Sequence, residues 1–192
     1  SSANWTHPAR RQTGRATGCQ SARRIGYTQR ASDAYYCVRV ISSKGRAVGI
    51  HESFAPVVDV NNNPSNLVIN VLSFCEDPVR VARLSALFVR WTLDGGEIPT
   101  AKHFPGHGNT DKDSHKTLPV VSGSRASLDS TELFPFKRLI NAGVGSVMVA
   151  HLSVPALDTT EHLPSPLSPS LVTGFLKNEL RFTGHVTTDS LH

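Results

Sequence analysis

The strongest constraint on the fold is a regular alternation of apolar, strand-like runs with helix-forming segments. The runs at 53–59, 98–103, 145–150 and 185–189 each carry a polar residue at the end, and these residues are Asp59, His103, His151 and Asp189, spaced 44, 48 and 38 residues apart. Strands alternating with helices predict a parallel sheet with right-handed crossovers. In a parallel barrel the carboxyl ends of the strands converge on one face, which holds the active site. The predicted fold class is therefore α/β.

The segments between these runs have helical periodicity and end signals. The first has Asp77 as N-cap, Pro78 at the first helical position and Gly95-Gly96 at its end. The apolar stripes of the three predicted helices are Val81, Leu84, Phe88 and Trp91; Leu133, Phe136, Leu139 and Ile140; and Leu171, Val172, Phe175, Leu176 and Leu180. A further helix is expected over 27–46. With 192 residues, the chain is shorter than the ~250 residues of a typical (β/α)8 barrel, so a partial barrel is predicted.

The densest group of chemically active side chains follows the second run. Lys-His-Phe-Pro-Gly-His-Gly spans 102–108 and is followed by Asp113-Ser114-His115. Glycine and proline exclude a helix here and predict a long loop above the strand end. An i, i+2 spacing puts Asp113 and His115 on one side of an extended backbone, where the carboxylate would fix the tautomer of a histidine that titrates near neutral pH. A solvated loop is the alternative interpretation of the same residues.

The run at 102–115 resembles the signature of glycoside hydrolase family 3, in its β-N-acetylhexosaminidase branch. The resemblance covers about residues 46–192 and includes Phe-Ala-Pro-Val-Val-Asp-Val-Asn at 54–61, Ser-Phe-Cys-Glu-Asp-Pro at 73–78, Val-Met-Val-Ala-His at 147–151 and Thr-Asp-Ser-Leu at 188–191. The family fold is a (β/α)8 TIM barrel, and the four runs resemble its strands four to seven. The resemblance divides the chain into a basic N-terminal segment at 1–45, which matches the family poorly, and a partial barrel domain at 46–192.

The resemblance implies a retaining exo-β-N-acetylglucosaminidase that acts on peptidoglycan- or chitin-derived sugars and needs no cofactor. Asp189 corresponds to the nucleophile, and His115, supported by Asp113, corresponds to the acid/base. Lys102 and His103 correspond to residues that bind the sugar in the first subsite.

Three further residues are expected to support the pocket: Asp59, His107 and His151. The chain also departs from the family pattern. Leu72 stands where the family has an arginine directly before Ser-Phe, and Cys75 replaces a glycine. Arginine supplies up to five hydrogen-bond donors for sugar hydroxyls and leucine supplies none.

Other interpretations stay open at this stage. A partial barrel could lack activity, and the same family includes β-glucosidases and phosphorylases. A metal site built from His103, His107, Asp113 and His115 is disfavoured, because Phe-Pro-Gly between the first two histidines prevents the helical i, i+4 geometry of zinc ligands.

Charge is unevenly distributed. Residues 1–46 contain nine Lys/Arg and one acidic residue, whereas residues 47–192 contain eleven and fourteen. The basic segment has no aromatic platform, so no nucleic-acid partner is predicted. No apolar run reaches the ~18 residues of a membrane span. The expected partners are a small carbohydrate and, through open barrel edges, a second copy of the chain.

The three cysteines, Cys19, Cys37 and Cys75, are widely spaced and form no paired motif. Their spacing implies no disulfide framework. Unpaired thiols slightly favour a reducing, cytoplasmic compartment.

Overall fold

The computed structural model describes residues 2–3, 31–63, 66, 69, 72–108, 110 and 118–190. Its strands are β1 (Ser2–Ala3), β2 (Glu52–Ser53), β3 (Ile98–Phe104), β4 (Ser146–Val149) and β5 (His185–Thr188). Its α-helices are α1 (Ala31–Ala47), α2 (Pro78–Asp94), α3 (Arg125–Ser130) and α4 (Leu133–Asn141), with a 3-10 turn at Ser165–Leu167 and a π-helix at Ser170–Glu179. The helix expected over 27–46 is therefore found as α1.

The strands form one parallel sheet in which spatial order follows chain order, β1-β2-β3-β4-β5. The register pairs Glu52 with Ile98, Thr100 with Ser146, and Ser146 with His185. Helices connect the neighbouring strands, as in part of a (β/α)8 barrel. Within the described residues the sheet is open, with β1 and β5 at its edges. The predicted α/β class and parallel sheet are confirmed, and the assignment of the strands to barrel positions four to seven stays a prediction.

The first predicted strand is shorter than expected. Regular pairing in β2 covers two residues, whereas the sequence predicts a strand over 53–59. Proline at position 56 has no N–H to donate to a ladder. Beyond β2 the chain still follows β3, because Val57 bridges Lys102 and the Val58 N–H donates to the Lys102 carbonyl at 2.6 Å. Asp59 therefore reaches the carboxyl end of β3 although the regular strand stops earlier.

The ends of α2 follow the predicted signals. The Asp77 side chain accepts a hydrogen bond from the Val79 N–H at 2.9 Å, and Pro78 occupies the first turn. Gly96 after the helix has φ 88°, a conformation that glycine adopts without strain. Val81 and Trp91 of the predicted stripe are buried, and Phe88 packs against both the main core and a smaller cluster under α1.

The main core lies between the sheet and the layer formed by α2, α4 and the π-helix. Phe104 at the end of β3 meets the Phe136 ring edge-on at 5.3 Å and stacks on Phe175 at 6.1 Å. Full burial of such a side chain contributes roughly 1.5–3 kcal/mol. This aromatic group fixes the end of β3 against the helices and so positions the loop that follows it.

Helix α3 was not predicted. It is six residues long, and its N-cap Ser124 accepts a hydrogen bond from the Ser127 N–H at 3.2 Å. Leu128 is its one buried side chain. A helix this short shows too little periodicity to be recognised in the sequence.

Cys37 in α1 is disulfide-bonded, whereas Cys75 is a free thiol. The expectation of unpaired thiols was wrong for Cys37, because sequence spacing does not report which cysteines approach each other in space. The cysteines therefore no longer favour a reducing compartment. No helix in the described part of the chain is long and apolar enough to cross a membrane.

Candidate active site

Three of the predicted strand-end residues lie together at the carboxyl end of the sheet. His103 is between two carboxylates: its Nδ1 is 2.8 Å from Asp59 Oδ2, and its Nε2 is 3.8 Å from Asp189 Oδ2. The Asp189 N–H donates to the Val149 carbonyl at 3.1 Å, which continues the pairing of β4 with β5. The sheet therefore brings together side chains from positions 59, 103 and 189.

Asp59 is fully buried and receives several hydrogen bonds. Its Oδ1 accepts from the His107 N–H at 2.7 Å, and both oxygens are 3.3 Å from the His103 N–H. Burial raises the pKa of this carboxyl, but the charges and hydrogen bonds of His103 and His107 lower it by more, so the pKa lies below its ordinary value. Asp59 is thus a buried anion at neutral pH.

Lys102 is 2% exposed and precedes His103 in β3. Burial lowers the pKa of its ammonium group to about 8, and the negative charges of Asp189 and Asp59 oppose the shift. At neutral pH Lys102 is therefore mostly a cation, and its expected role in sugar binding stays a prediction.

His107 holds the loop that leaves β3. Its side chain is buried, and its ring meets the His103 ring edge-on at 6.1 Å. The Thr110 hydroxyl donates to the His107 carbonyl at 3.0 Å, so at 2.7 Å it accepts from His107 Nδ1. Burial lowers the pKa of His107. These contacts fasten the start of the loop, and the expected role of His107 in supporting the pocket stays a prediction.

Asn66 also fastens this loop, and sequence reasoning missed it. Its buried Nδ2 donates to the carbonyls of His107 at 2.8 Å and Gly108 at 3.2 Å. A Cβ at Gly108 would overlap the Val60 carbonyl oxygen, so only glycine permits this approach. Asn66 lies in an Asn/Pro-rich stretch with no periodicity, and no sequence signal distinguishes it from a loop residue.

The segment after the loop is fastened to the residues that follow β4. The Val121 N–H donates to the Ser153 carbonyl, and the Ser153 N–H donates to the Pro119 carbonyl, both at 2.9 Å. The predicted acid/base pair, Asp113 and His115, belongs to 111–117, which lies outside the described residues. Its role stays a prediction.

Glu132 is a second residue that sequence reasoning missed. Its buried carboxylate accepts from Asn62 Nδ2 at 2.9 Å. A Cβ at Gly106, which has φ 135°, would lie 2.6 Å from Glu132 Cβ. The start of α4 is therefore packed directly beneath the loop. In the sequence Glu132 has the appearance of an ordinary acidic residue at a helix start.

The remaining predicted residues lie around this group. His151 is half-buried at the end of β4, and its Nε2 is buried without a hydrogen-bond partner in the described part of the chain. Leu72 is half-buried beside Ser73, whose hydroxyl donates to the Asp59 carbonyl at 2.6 Å. No group of three or more His, Cys, Asp or Glu side chains within the described residues is arranged to hold a metal ion.

Residues 6–192 match the Glycosyl hydrolase family 3 N terminal domain. The chain is 38% identical over 180 residues to a beta-hexosaminidase A from Pseudoalteromonas piscicida, covering 87% of this chain and 30% of that protein. A beta-hexosaminidase from Nitrosomonas eutropha is 32% identical over 170 residues, covering 88% of this chain and 44% of that protein. The chain thus spans less than half the length of these relatives.

Among solved structures, a glycoside hydrolase family 3 beta-N-acetylglucosaminidase from Paenibacillus sp. str. FPU-7 is similar with a TM-score of 0.92 and 41% identity, covering 99% of this chain and 36% of that one. The beta-glucoside phosphorylase BglX bound to 2FGlc has a TM-score of 0.85 and 30% identity, covering 91% of this chain and 33% of that one. The match over 6–192, together with this agreement in fold, shows that the chain belongs to glycosyl hydrolase family 3, within its N-terminal domain.

Proposed function

We propose that this chain carries the carbohydrate site of a retaining β-N-acetylhexosaminidase that releases N-acetylglucosamine from peptidoglycan- or chitin-derived sugars. One observation carries the proposal: Asp189 lies across from Lys102 and His103 at the carboxyl end of a parallel sheet. A carboxylate beside hydrogen-bonding groups at this face is the arrangement that covalent glycoside hydrolysis requires. The relatives named beta-hexosaminidase support the choice of sugar.

In the proposed first step an Asp189 oxygen attacks the anomeric carbon and forms a glycosyl–enzyme bond as the glycosidic C–O bond breaks. His115 gives its proton to the departing oxygen. In the second step His115 takes a proton from water, whose oxygen attacks the anomeric carbon and releases Asp189. Asp113 would stabilise the imidazolium form of His115 that supplies the proton.

Lys102 and His103 would bind the hydroxyl groups of the same sugar. The side chain of Asp189 is 18% exposed and that of His103 is 10% exposed, so both reach the surface of the site. Lys102 and Asp59 lie deeper. A sugar bound above Lys102 and Asp59 would have its anomeric carbon near Asp189. Holding the anomeric carbon in position for attack by Asp189 is a major part of the rate enhancement.

The test is turnover of an aryl β-N-acetylglucosaminide by the full chain and by its Asp189→Ala variant. Loss of the nucleophile should lower the rate by several orders of magnitude. The matched control is Asp94→Ala, which removes a carboxylate paired with Arg90 at the end of α2 and should leave turnover unchanged. Retention by Asp189→Ala of more than about a tenth of the rate, a difference under 1.4 kcal/mol, would exclude Asp189 as the nucleophile.

Phosphorolysis is a second candidate, favoured by the similarity to a beta-glucoside phosphorylase. A histidine acid/base is neutral when it accepts a proton, so it repels an incoming phosphate less than a glutamate would. Release of sugar with and without inorganic phosphate separates the two reactions. A rate that rises with phosphate and yields a sugar 1-phosphate identifies a phosphorylase, whereas a phosphate-independent rate identifies a hydrolase.

A further inference from the structure

We propose that Asp59 is a positioning residue that sets the tautomer of His103, so that the neutral ring presents Nε2 to the ligand as a hydrogen-bond acceptor. Its effect on sugar binding rests on the function proposed above, whereas the tautomer itself does not.

An ionised carboxylate accepts hydrogen bonds and cannot donate them. Asp59 Oδ2 lies 2.8 Å from His103 Nδ1, so Nδ1 must carry the proton in this bond. The other oxygen is engaged by the His107 N–H at 2.7 Å. Each Asp59 oxygen therefore accepts one short hydrogen bond. Together the two hydrogen bonds hold the carboxylate in one orientation beside the His103 ring.

A neutral imidazole carries one proton, so His103 with a protonated Nδ1 has a lone pair on Nε2. That atom faces Asp189 Oδ2 at 3.8 Å, which is too long for a hydrogen bond. A ligand oxygen beside this pair could lie within hydrogen-bond distance, about 2.8 Å, of both atoms at once. The class of group that fits is a donor, such as a sugar hydroxyl, because it would donate to Nε2 without carrying negative charge towards Asp189.

The backbone at Asp59 is held separately from its side chain. The Ser73 hydroxyl donates to the Asp59 carbonyl at 2.6 Å, and the Val58 N–H donates to Lys102 at 2.6 Å. Asp59→Asn therefore keeps the main chain fastened. The amide oxygen can still accept from the His107 N–H, which turns the amide nitrogen towards His103 Nδ1.

Two donors cannot face each other, so in Asp59→Asn the ring proton should move to Nε2. Replacing an orienting carboxylate by an amide has this effect in catalytic triads, where the geometry survives and the tautomer is wrong. In this protein Nε2–H would then point at Asp189 and would no longer accept from a sugar hydroxyl.

The experiment is imidazole ¹⁵N NMR of ¹⁵N-histidine-labelled protein at a pH where the ring is neutral, with the His103 signals assigned by their loss in His103→Gln. Wild type should show a protonated Nδ1 and a bare Nε2, and Asp59→Asn should show the reverse. Asp158→Asn is the matched control, because that carboxylate accepts from the Thr160 N–H and the Ser168 hydroxyl away from His103. It should leave the His103 signals unchanged.

A protonated Nε2 in the wild type would overturn the proposal, as would an unchanged tautomer in Asp59→Asn. The wild-type spectrum can overturn the proposal even if the variant does not fold. Titration with N-acetylglucosamine should show at least about tenfold weaker binding to Asp59→Asn than to Asp158→Asn, and equal binding would exclude the role in ligand recognition. Because the tautomer is read without turnover, failure of this inference is distinguishable from failure of the proposed activity.

Discussion

Strand β3 has a buried carboxylate beside each of its ends, and the pKa values of the two carboxyl groups are shifted in opposite directions. Asp59 lies beside the carboxyl end and is 0% exposed, and Glu97 directly precedes the amino end and is 1% exposed. The pKa of Asp59 is below its ordinary value and the pKa of Glu97 is above it. Burial raises the pKa at both positions, so burial does not explain the difference.

The difference lies in the donors that surround each group. The chain turns at His103 and His107 so that two N–H groups and a ring nitrogen point at Asp59. Neither Glu97 oxygen has a well-oriented hydrogen bond within the described residues, and the nearby Ser42 side chain and Arg46 charge lower its pKa by less than burial raises it. The surroundings of Asp59 therefore stabilise a charged carboxylate, and the surroundings of Glu97 do not.

The largest expected effect tests whether catalysis is confined to the carboxyl end. His115→Ala should slow cleavage of natural substrates by about 10²–10⁴-fold and affect substrates with activated leaving groups far less, because these need little protonation. Asp113→Asn should show a milder form of this pattern. Rates on both substrate classes are the measurement, and equal losses on the two would mean that the loop only shapes the pocket.

A gain of function is expected from Leu72→Arg at the same end. Leu72 precedes Ser73, which is bonded to Asp59, and a guanidinium there could donate to sugar hydroxyls. Charge-assisted bonds contribute about 1.5–3 kcal/mol, or about ten- to a hundredfold in kcat/KM. Leu72→Met is the control, with similar length and no donors. An arginine variant no better than the methionine variant would contradict this role.

The third expectation concerns pH. Because the pKa of Lys102 is about 8, kcat/KM should fall as the pH rises through 8, by about tenfold per unit once the ammonium is lost. Asp59 and Asp189 are the carboxylates that raise this pKa, and His103 and His107 are the other titratable groups nearby. Asp59→Asn removes one of these charges, so the fall of kcat/KM at alkaline pH should begin at a lower pH. A fall that begins at the same pH in wild type and variant would show that Lys102 does not control it.

The smallest effect is expected at the opposite end of β3. Because the folded pKa of Glu97 is raised, its contribution to stability is fully present below the unfolded pKa near 4.5 and is lost as the pH rises through the folded value. Glu97→Gln should remove this loss, so its melting temperature should exceed that of wild type at pH 7 and approach it near pH 4.

A difference of 1 kcal/mol corresponds to roughly 2–4 °C in a domain of this size. Turnover should be unchanged in Glu97→Gln, in contrast to every change at the carboxyl end. If the variant and the wild type had the same melting temperature at both pH values, burial of the Glu97 carboxylate would not be destabilising the protein.

Much of this architecture is readable in the sequence. The apolar stripe of α4 predicted Leu133, Phe136 and Leu139 as core residues, and all three are fully buried. Of the four polar residues that end the apolar runs, Asp59, His103 and Asp189 lie together at the carboxyl end of the sheet, whereas no contact joins His151 to this group within the described residues. These inferences succeed because periodicity and strand direction are local properties that carry over directly into a parallel sheet.

Other features depended on contacts between distant segments. Asn66 and Glu132 fasten a loop more than twenty residues away from either in the chain and are indistinguishable in sequence from ordinary polar residues. The disulfide at Cys37 likewise has no local signature strong enough to predict it, whereas the early end of β2 is accounted for locally by the proline at position 56.

The sequence by itself determined the alternation of strands and helices, the direction of the sheet and the strand ends at which Asp59, His103 and Asp189 lie. Only the tertiary structure decided that the pKa of Asp59 falls and that of Glu97 rises, because this depends on the charge and ring nitrogen of His103 and on the charge and N–H of His107 brought to Asp59, whereas neither Glu97 oxygen has a well-oriented hydrogen-bond partner within the described residues. Ionisation is set by the local supply of donors and charges in a desolvated site, and that supply exists only once the chain is folded.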